Sequence, residues 1–453
     1  MPDQLNSIST LDGRYNKEAS ILSNYFSESA LMRYRVMVEV EYLISLSKEK
    51  KLVDLPLISK NVQSSLRKIY QKFDTISARR IKKIESQINH DVKAVEIFIS
   101  EKLKKMNKTN LVPWLHFGLT SEDVNNISYS MMWKDGTKNV YLDKLNTIIK
   151  AIKDLASKHS KEAMLSLTHG QPATPTTFGK EMAVFYYRLN KHYKLLKELE
   201  LEGKISGATG TWAAHFLAYP NIDWLKFSNK FVKYFGLKHN PLTTQVESHD
   251  SLAEQYHLLS RVNSVLIDFS NDMWFYISRG ILIQKIVSGE TGSSTMPHKI
   301  NPIHFENAEG NCGLANSLLI HLANKLTISR LQRDLSGSTV IRNQGVALGY
   351  CVIALNNLIK GVGRVKINKQ RTKNELNNHW EVLAEAVQII LRKNGNSDAY
   401  EKIKELTRGE TISKNNIQKI ISSLDISHDD KNTLMKLTPG GYTGLSSVLA
   451  KLR

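Results

Sequence analysis

The amino-acid sequence predicts a mainly α-helical protein. Apolar residues alternate at spacings of three and four positions over 142–159 and again over 182–199, which is the period of an amphipathic helix. A third stretch, 251–287, contains no proline and keeps apolar residues at helical spacing. Alternating β-branched runs, the usual sign of strands, are sparse. Helices of this length exceed the roughly 8 to 20 residues usual in globular proteins, so a helix bundle or an intersubunit helical assembly is predicted.

Two breaks in the helical pattern divide the sequence into three predicted domains. The turn-prone segment 107–113, which contains a proline, predicts a boundary near residue 111. Two glycines within 361–364 predict a second boundary. We therefore expect an N-terminal helical domain at 1–111, a central domain of long helices at 112–364 and a C-terminal helical domain at 365–453.

Composition limits the class of protein. The chain has 453 residues, 41% of them hydrophobic, which is enough to bury a core and excludes a disordered tail. Its two cysteines exclude a disulfide scaffold and favour a reducing, cytoplasmic compartment. The sequence has neither a signal peptide nor a run of about 18 apolar residues, so we expect neither secretion nor membrane insertion.

The formal net charge of +19 indicates an anionic partner: nucleic acid, anionic lipid or a polyanionic small molecule. Much of the excess lies in short basic runs at 48–51, 79–83 and 102–105, beside apolar residues at helical spacing. Such runs are usually solvated helix faces. Without an aromatic-interleaved basic motif or a known reading module, the sequence does not favour nucleic-acid binding.

The loop 292–302, Gly-Ser-Ser-Thr-Met-Pro-His-Lys-Ile-Asn-Pro, is the most informative polar segment. Its two adjacent hydroxyls follow a glycine, which allows a mobile lid, and Lys299 and Asn301 could hold a carboxylate as it gains charge. An ordinary connection between helices, with Pro302 at the start of the second helix, explains the same residues.

A second loop, 168–177, contains one histidine and two prolines. On a loop stiffened by proline, His169 is suited to proton transfer because its unperturbed pKa lies near 6.5. A lone histidine is also commonly structural, and the residues alone leave both interpretations open.

Two polar segments precede predicted helices. Asn89-His90-Asp91 interrupts an amphipathic pattern, and an N-cap at Asn89 explains it equally well. Thr120 and Ser121 are followed by two acidic residues, as in a plain helix N-cap. Because a helix N-terminus also attracts anions, capping and carboxylate binding can coexist there.

Common metal and nucleotide motifs are missing from the sequence. It contains neither HExxH nor CxxC, which argues against a metal site. It also lacks the GxxxxGK[ST] and GxGxxG patterns, so a P-loop and a dinucleotide site are not supported.

Taken together, the loops resemble the fumarase/aspartase superfamily of lyases, whose signature GSSxMPxKxNP is matched throughout 292–302. Within it, the chain is similar to the purine-synthesis branch. The supporting segments, in the order that the family requires, are 11–15 (LDGRY), 89–96 (NHDVKAVE), 120–123 (TSED), 168–175 (THGQPATP) and 329–343 (SRLQRDLSGSTVIRN). His304 and the pair Ser336–Gly337 differ from what close relatives tend to carry.

The resemblance implies an all-α fold of three domains whose central long helices join those of other subunits in a homotetramer with D2 symmetry. It also implies β-elimination of fumarate from adenylosuccinate, leaving AMP, and from SAICAR, leaving AICAR. No metal or organic cofactor is implied, because the substrate carboxylate takes up the electrons.

By motif position, the resemblance makes Ser293 the general base and His169 the general acid. Glu306 would orient His169, while Lys299 and Asn301 would hold the succinyl carboxylate. The phosphate and ribose would be held by Arg14, Tyr15, Arg333, Ser338 and Arg342. Other contacts to the substrate would come from Asn89, His90, Asp91, Thr120, Ser121 and Gln245.

Two alternatives share the fold. A sister lyase acting on argininosuccinate, fumarate or aspartate would have no use for phosphate-binding arginines. A non-catalytic structural protein would not need Ser293, His169 and Lys299, all of which are present.

Overall fold

The computed structural model describes residues 4–286, 289, 295, 296, 298–407 and 412–452. The chain forms two compact units. Unit 1 comprises Met1–Leu145, His192–Ser264 and Gly310–Asn356, and unit 2 comprises Asn146–Lys191, Val265–Glu309 and Asn357–Arg453. This division does not test the domain boundaries at 111 and 364, which stay a prediction.

Helices make up most of the described chain. In order they are α1 (Asn16–Ala19), α2 (Ser23–Phe26), α3 (Glu28–Leu46), α4 (Lys60–Gln71), α5 (Thr75–Ile88), α6 (Asp91–Lys105), α7 (Ser121–Gly136), α8 (Leu142–Lys158), α9 (Phe178–Glu198), α10 (Ala213–Ala218), α11 (Trp224–Tyr234), α12 (Asp250–Ser278), α13 (Ile303–Leu326), α14 (Ser336–Ile341), α15 (Gln344–Arg364), α16 (Lys369–Asn377), α17 (Ala384–Lys393), α18 (Ala399–Thr407), α19 (Lys414–Ser423), α20 (His428–Lys436) and α21 (Ser446–Leu449). Short 3₁₀ segments and one π-helical turn, Thr137–Tyr141, connect some of them.

Strands in the described residues are confined to three two-stranded sheets. The antiparallel pairs are β1 (Ala163–Thr168) with β2 (Gln171–Thr177), and β5 (Leu282–Gln284) with β6 (Val365–Ile367). The parallel pair is β3 (Glu202–Gly203) with β4 (Lys238–His239). With so little sheet, the predicted all-α class is confirmed.

In unit 1, α3 lies at the centre of the packing. Ser27 caps its N-terminus by accepting a hydrogen bond from Ala30 N at 3.1 Å. The helix is buried along most of its length and packs against α4, α6 and α7. The buried carboxylate of Glu41 accepts hydrogen bonds from Arg67 Nε at 2.7 Å and from Arg67 Nη2 at 2.8 Å. This carboxylate therefore has an ion-pair partner in the interior.

In unit 2, α16 packs against β1, with Leu376 on Leu165. The C-terminal helices form a small core of their own around Trp380, Val387 and Ile417. These contacts anchor the β1–β2 hairpin, which carries His169.

The long predicted helices are found with one correction. Helices α8 and α9 confirm the patterns at 142–159 and 182–199. The third helix was expected to reach about residue 287, but α12 ends at Ser278. Gly280 adopts a φ of +73°, a conformation that ends helices, and Leu282 begins a strand paired with Ile367.

The glycines at 361–364 do not interrupt their helix. Helix α15 continues through them to Arg364, and β6 begins at the next residue. A side chain at Gly361 would meet Phe305 Cζ at 3.0 Å and His304 Cβ at 3.2 Å. The glycine therefore permits close packing of α13 on α15 and is not a turn signal.

Among the described residues, one apolar segment, Ser336–Arg364, is long and apolar enough to cross a membrane, with a mean hydropathy of 1.4 in its most apolar window. Of that window 67% is buried inside the protein. Burial of this extent is typical of a core helix.

Candidate active site

Asp91 lies between two arginines in unit 1. Its Oδ2 accepts hydrogen bonds from Arg35 Nη2 at 2.8 Å and from Arg342 Nη2 at 3.1 Å. Burial opposes ionisation of Asp91, but Arg35, the Val92 N–H and Arg342 together outweigh it, and the pKa of the carboxyl falls to about 2. The predicted site residues Asp91 and Arg342 thus form one ion-paired cluster around a carboxylate.

The residues before Asp91 connect two helices. Asn89 has a φ of 53° and ends α5, with its N–H donating to Glu85 O at 2.7 Å. His90, in place of Asn89, caps α6, and its Nδ1 accepts from Lys93 N at 3.2 Å. The predicted N-cap at Asn89 is therefore wrong. Asn89 is the C-cap of α5, and the side chain that caps the N-terminus of α6 is that of His90.

Gln245 and Arg333 form a second contact between predicted site residues. Arg333 Nη1 donates to Gln245 Oε1 at 2.8 Å, and Gln245 Nε2 donates to Ala208 O at 2.7 Å. Beside Arg333, Asp334 accepts from the backbone N–H groups of Ser336 at 2.7 Å and Arg330 at 3.0 Å. Ser336, unusual in the sequence, thus helps to fold the turn that carries Arg333.

Thr120 and Ser121 lie at the start of α7, as the capping pattern predicts. Thr120 N donates to Asp123 Oδ2 at 2.9 Å. Asp123 also accepts from the backbone N–H groups of Ser206 at 2.9 Å and Gly207 at 3.1 Å, and its Oδ1 lies 2.8 Å from Lys204 Nζ. The helix start is thereby fastened to the 206–208 segment, whose Ala208 holds Gln245.

A cavity in unit 1 that opens to solvent has Ser338 in its wall. Glu122, Tyr129 and His249 line it as well. Burial raises the pKa of Glu122, although His249, Arg333 and Lys204 act in the opposite direction. Sequence reasoning missed Glu122 and His249: Glu122 looked like a helix-cap residue, and His249, next to the Gln245 segment, was not singled out.

A second cavity in unit 1, also open to solvent, is lined by Arg342 together with Phe26, Ser27, Glu28 and Tyr129. Tyr129 borders both cavities. Arg342 therefore reaches open space on one side and the Asp91 carboxylate on the other.

The 11–15 segment packs on the middle of α15. Tyr15 lies with Leu11 against Ile353 and Tyr350, which fixes the backbone next to Arg14. The Arg14 side chain is exposed. An exposed guanidinium is available to a ligand or to another subunit.

In unit 2, His169 occupies the tip of a β-hairpin and not an irregular loop. Thr168 pairs with Gln171, so His169 and Gly170 form a two-residue turn. Their φ angles of 53° and 74° are the left-handed values of a type I′ turn. The histidine is exposed and projects from a rigid support.

The other predicted residues of unit 2 lie near the signature loop. Ser293 lies outside the described residues. Lys299 is exposed and its N–H donates to Met296 O at 3.1 Å, while Asn301 is half-buried. Glu306, in the first turn of α13, accepts from Trp274 Nε1 at 3.1 Å. The described part of the chain shows no hydrogen bond between Glu306 and His169, so that pairing stays a prediction.

Across the described residues, no group of three or more His, Cys, Asp or Glu side chains has the geometry to hold a metal ion. Arg333 and Arg342 could bind an anion. Glu122 and His249 line a cavity, and the exposed His169 lies on a hairpin turn, where it could transfer a proton.

Two family models match the chain, one described as lyase over residues 13–315 and one as adenylosuccinate lyase C-terminal over residues 329–443. The adenylosuccinate lyase of Legionella pneumophila (strain Corby) is 46% identical over 448 residues, covering 99% of this chain and 98% of that protein. The adenylosuccinate lyase of Escherichia coli (strain K12) is 45% identical over 441 residues, covering 97% of each.

Solved structures share the fold at low sequence identity. A fumarate lyase from Mesorhizobium sp. BNC1 superposes with a TM-score of 0.76 at 17% identity, covering 96% of this chain and 97% of that one. The 3-carboxy-cis,cis-muconate lactonizing enzyme of Pseudomonas putida gives 0.73 at 19% identity, covering 96% of each. These structures support the fold, while the family models and the near-complete match to close relatives go further: the chain belongs to the adenylosuccinate lyase family.

Proposed function

We propose that this protein cleaves adenylosuccinate to AMP and fumarate, and SAICAR to AICAR and fumarate, in purine nucleotide synthesis. The observation that carries the proposal is the clustering in unit 1 of residues from distant segments. Asp91 contacts Arg342, and Gln245 contacts Arg333. Arginines in such clusters suit the phosphate of a succinylated nucleotide, for which a sister lyase has no need.

The difficult step is the removal of a proton from the carbon beside a substrate carboxylate. Ser293 is the proposed base. A serine is a weak base, so the step requires exclusion of water and nearby positive charge, which Lys299 supplies in this proposal. Lys299 and Asn301 hold the carboxylate as it becomes dianionic, and Thr120 and Ser121 donate to the same carboxylates from the start of α7.

Cleavage of the C–N bond then moves an electron pair onto the departing nitrogen. His169 is the proposed acid that protonates this nitrogen, while the carbon skeleton leaves as fumarate. The hairpin turn supports this role because its type I′ backbone presents an exposed imidazole at a defined position. Glu306 is proposed to orient the ring.

The exposure of His169, Lys299 and Arg14 supports a site completed by other subunits. We propose a homotetramer with D2 symmetry in which each active site takes loops from three chains. Exposed apolar side chains on long helices, among them Tyr187, Leu314 and Ile320, are consistent with burial in such an assembly. Multi-angle light scattering of the active protein tests this, and an active monomer would refute it.

Three domains with boundaries near 111 and 364, and a cytoplasmic location, belong to the same proposal. The partners are the small-molecule substrates and products, without nucleic acid.

The decisive experiment is an absorbance assay of the purified protein with adenylosuccinate, in parallel with argininosuccinate, fumarate plus ammonia, and aspartate. Turnover of adenylosuccinate with AMP release supports the proposal. Turnover of a different substrate would assign a sister lyase, and no turnover at all would favour a structural protein on this fold.

A further inference from the structure

The cavity that Ser338 lines in unit 1 has a wall of mixed character. Val246, Leu326, Ile328 and Ile341 supply apolar surface. Gly337 contributes no side chain to this wall, and a Cβ added there would lie in ordinary van der Waals contact with Leu326 Cδ2, at 3.9 Å. About 420 Å³ of empty space lies before this wall, part of it open solvent, so a ligand with both polar and apolar groups can reach it from outside.

Glu122 contributes a buried carboxyl group to this wall. The residue is 5% exposed, and none of the described residues donates a hydrogen bond to its carboxyl oxygens. Buried polar groups normally have partners, since an unpaired one loses its hydration without compensation. Glu122 lines the cavity, so a ligand there can donate a hydrogen bond to its carboxyl oxygens.

His249 lies in the same wall, and one of its ring nitrogens also lacks a hydrogen-bond partner. It is 7% exposed, and its Nδ1 makes no hydrogen bond, although Glu247 Oε2 lies 3.4 Å away. Its φ of 60° is unusual for a residue other than glycine, and this strained backbone orients the imidazole. The Glu122 carboxyl, a hydrogen-bond acceptor, and the His249 imidazole thus line the same cavity.

The parts of the proposed substrates differ in what they can offer a carboxylate. The phosphate is excluded because it is itself an anion. The adenine ring of adenylosuccinate presents nitrogen acceptors, with a single N–H at the substituted amine. The ribose carries two hydroxyls, each able to donate and to accept, and carboxylates commonly bind ribose hydroxyls.

Resting on the proposed function, we propose that Glu122 binds the 2′- and 3′-hydroxyls of the substrate ribose in this cavity, with His249 as the second polar contact. Ser338 lies in the same wall, and the positive charge of Arg333 lowers the pKa of Glu122 against the larger effect of burial, which is consistent with one cation on the phosphate side of the cavity. Ribose phosphate is present in both adenylosuccinate and SAICAR, although their bases differ. One contact at Glu122 therefore serves both substrates.

The test compares the binding of AMP, 2′-deoxy-AMP and 3′-deoxy-AMP to the full-length protein by calorimetry. Loss of a hydroxyl that donates to a carboxylate should weaken binding by about tenfold or more. In Glu122→Gln the affinity for AMP should fall, and the penalty for the deoxy nucleotides should shrink to about threefold or less. Glu254→Gln, the same change at an exposed position of unit 1, should keep the full penalty.

Equal affinities for the three nucleotides in the unaltered protein would overturn the inference, as would an unchanged deoxy penalty in Glu122→Gln. The first of these outcomes does not depend on whether the variant folds. Turnover of adenylosuccinate by the unaltered protein, measured separately, distinguishes the two failures. If adenylosuccinate is turned over but the three nucleotides bind equally well, only the ribose contact is wrong, whereas absent turnover contradicts the proposed function.

Discussion

Asp91 and Arg342 are 251 residues apart in sequence, yet Arg342 Nη2 donates to Asp91 Oδ2 at 3.1 Å. The same oxygen accepts from Arg35, whose side chain is only 3% exposed. One carboxylate therefore neutralises a buried guanidinium and orients a second one that borders a cavity. Binding and stability are coupled at this point, because a change at Asp91 affects both arginines.

Replacement Asp91→Asn should weaken both functions of this carboxylate. The amide can still accept a hydrogen bond, but it leaves the buried Arg35 charge without a counter-charge, which should cost about 2 kcal/mol of unfolding free energy. Because Arg342 loses its anchor, the KM for adenylosuccinate should rise. Urea unfolding and steady-state kinetics measure the two effects. Asp429→Asn, at an exposed position of α20, is the matched control, and equal behaviour of the two variants would contradict the coupling.

The stabilisation by Asp91 should disappear in acid. Its pKa is about 2 in the folded chain against an ordinary value of 3.8, so the folded state binds its proton less readily than the unfolded state. The contribution, of the order of 2 kcal/mol, is thus complete above about pH 4 and is lost as the pH falls towards 2. Unfolding curves of the unaltered protein and Asp91→Asn should converge over this range. A constant difference between them down to pH 2 would be inconsistent with the lowered pKa.

Periodicity predicted α8 and α9 well because the spacing of apolar residues along an amphipathic helix can be recognised from neighbouring positions in the sequence. It failed at the end of α12, where the apolar residues of β5 follow Gly280 at a spacing that also fits a helix. It also missed the hairpin around His169, because β2 contains two prolines and lacks clear alternation. Strand pairing depends on partners outside the local pattern.

Motif reasoning predicted several site residues, but only the folded chain brings them together. Arg333 meets Gln245 across 88 positions, which no local spacing reveals. Glu122 went unnoticed because a carboxyl in the first turn of a helix has an ordinary explanation as a favourable charge near the helix N-terminus. Its burial beside a cavity is a tertiary property, and so is the position of His249.

The turn at His169 allows its chemistry to be separated from its conformation. His169→Asn creates Asn-Gly, a favoured pair for a type I′ turn, so the hairpin and the melting temperature should be preserved. Turnover should nevertheless fall by about 10²- to 10⁴-fold, the usual effect of losing a positioned proton donor. His428→Asn, at the exposed start of α20, should leave turnover unchanged. Near-normal turnover in His169→Asn, with the fold intact by circular dichroism, would remove the histidine from the mechanism.

The fully buried pair Lys204 and Asp123 should be the most sensitive ion pair of unit 1. Both side chains are 0% exposed, and Asp123 joins the start of α7 to Ser206 and Gly207. In Lys204→Met the Asp123 carboxylate keeps its backbone donors but loses its counter-charge, which should cost about 3 kcal/mol of unfolding free energy. Lys238→Met, which removes a lysine from the exposed pair with Glu202, should change stability little. If chemical unfolding gives both variants the stability of the unaltered protein, the Lys204 charge is not needed to hold the Asp123 carboxylate in the interior.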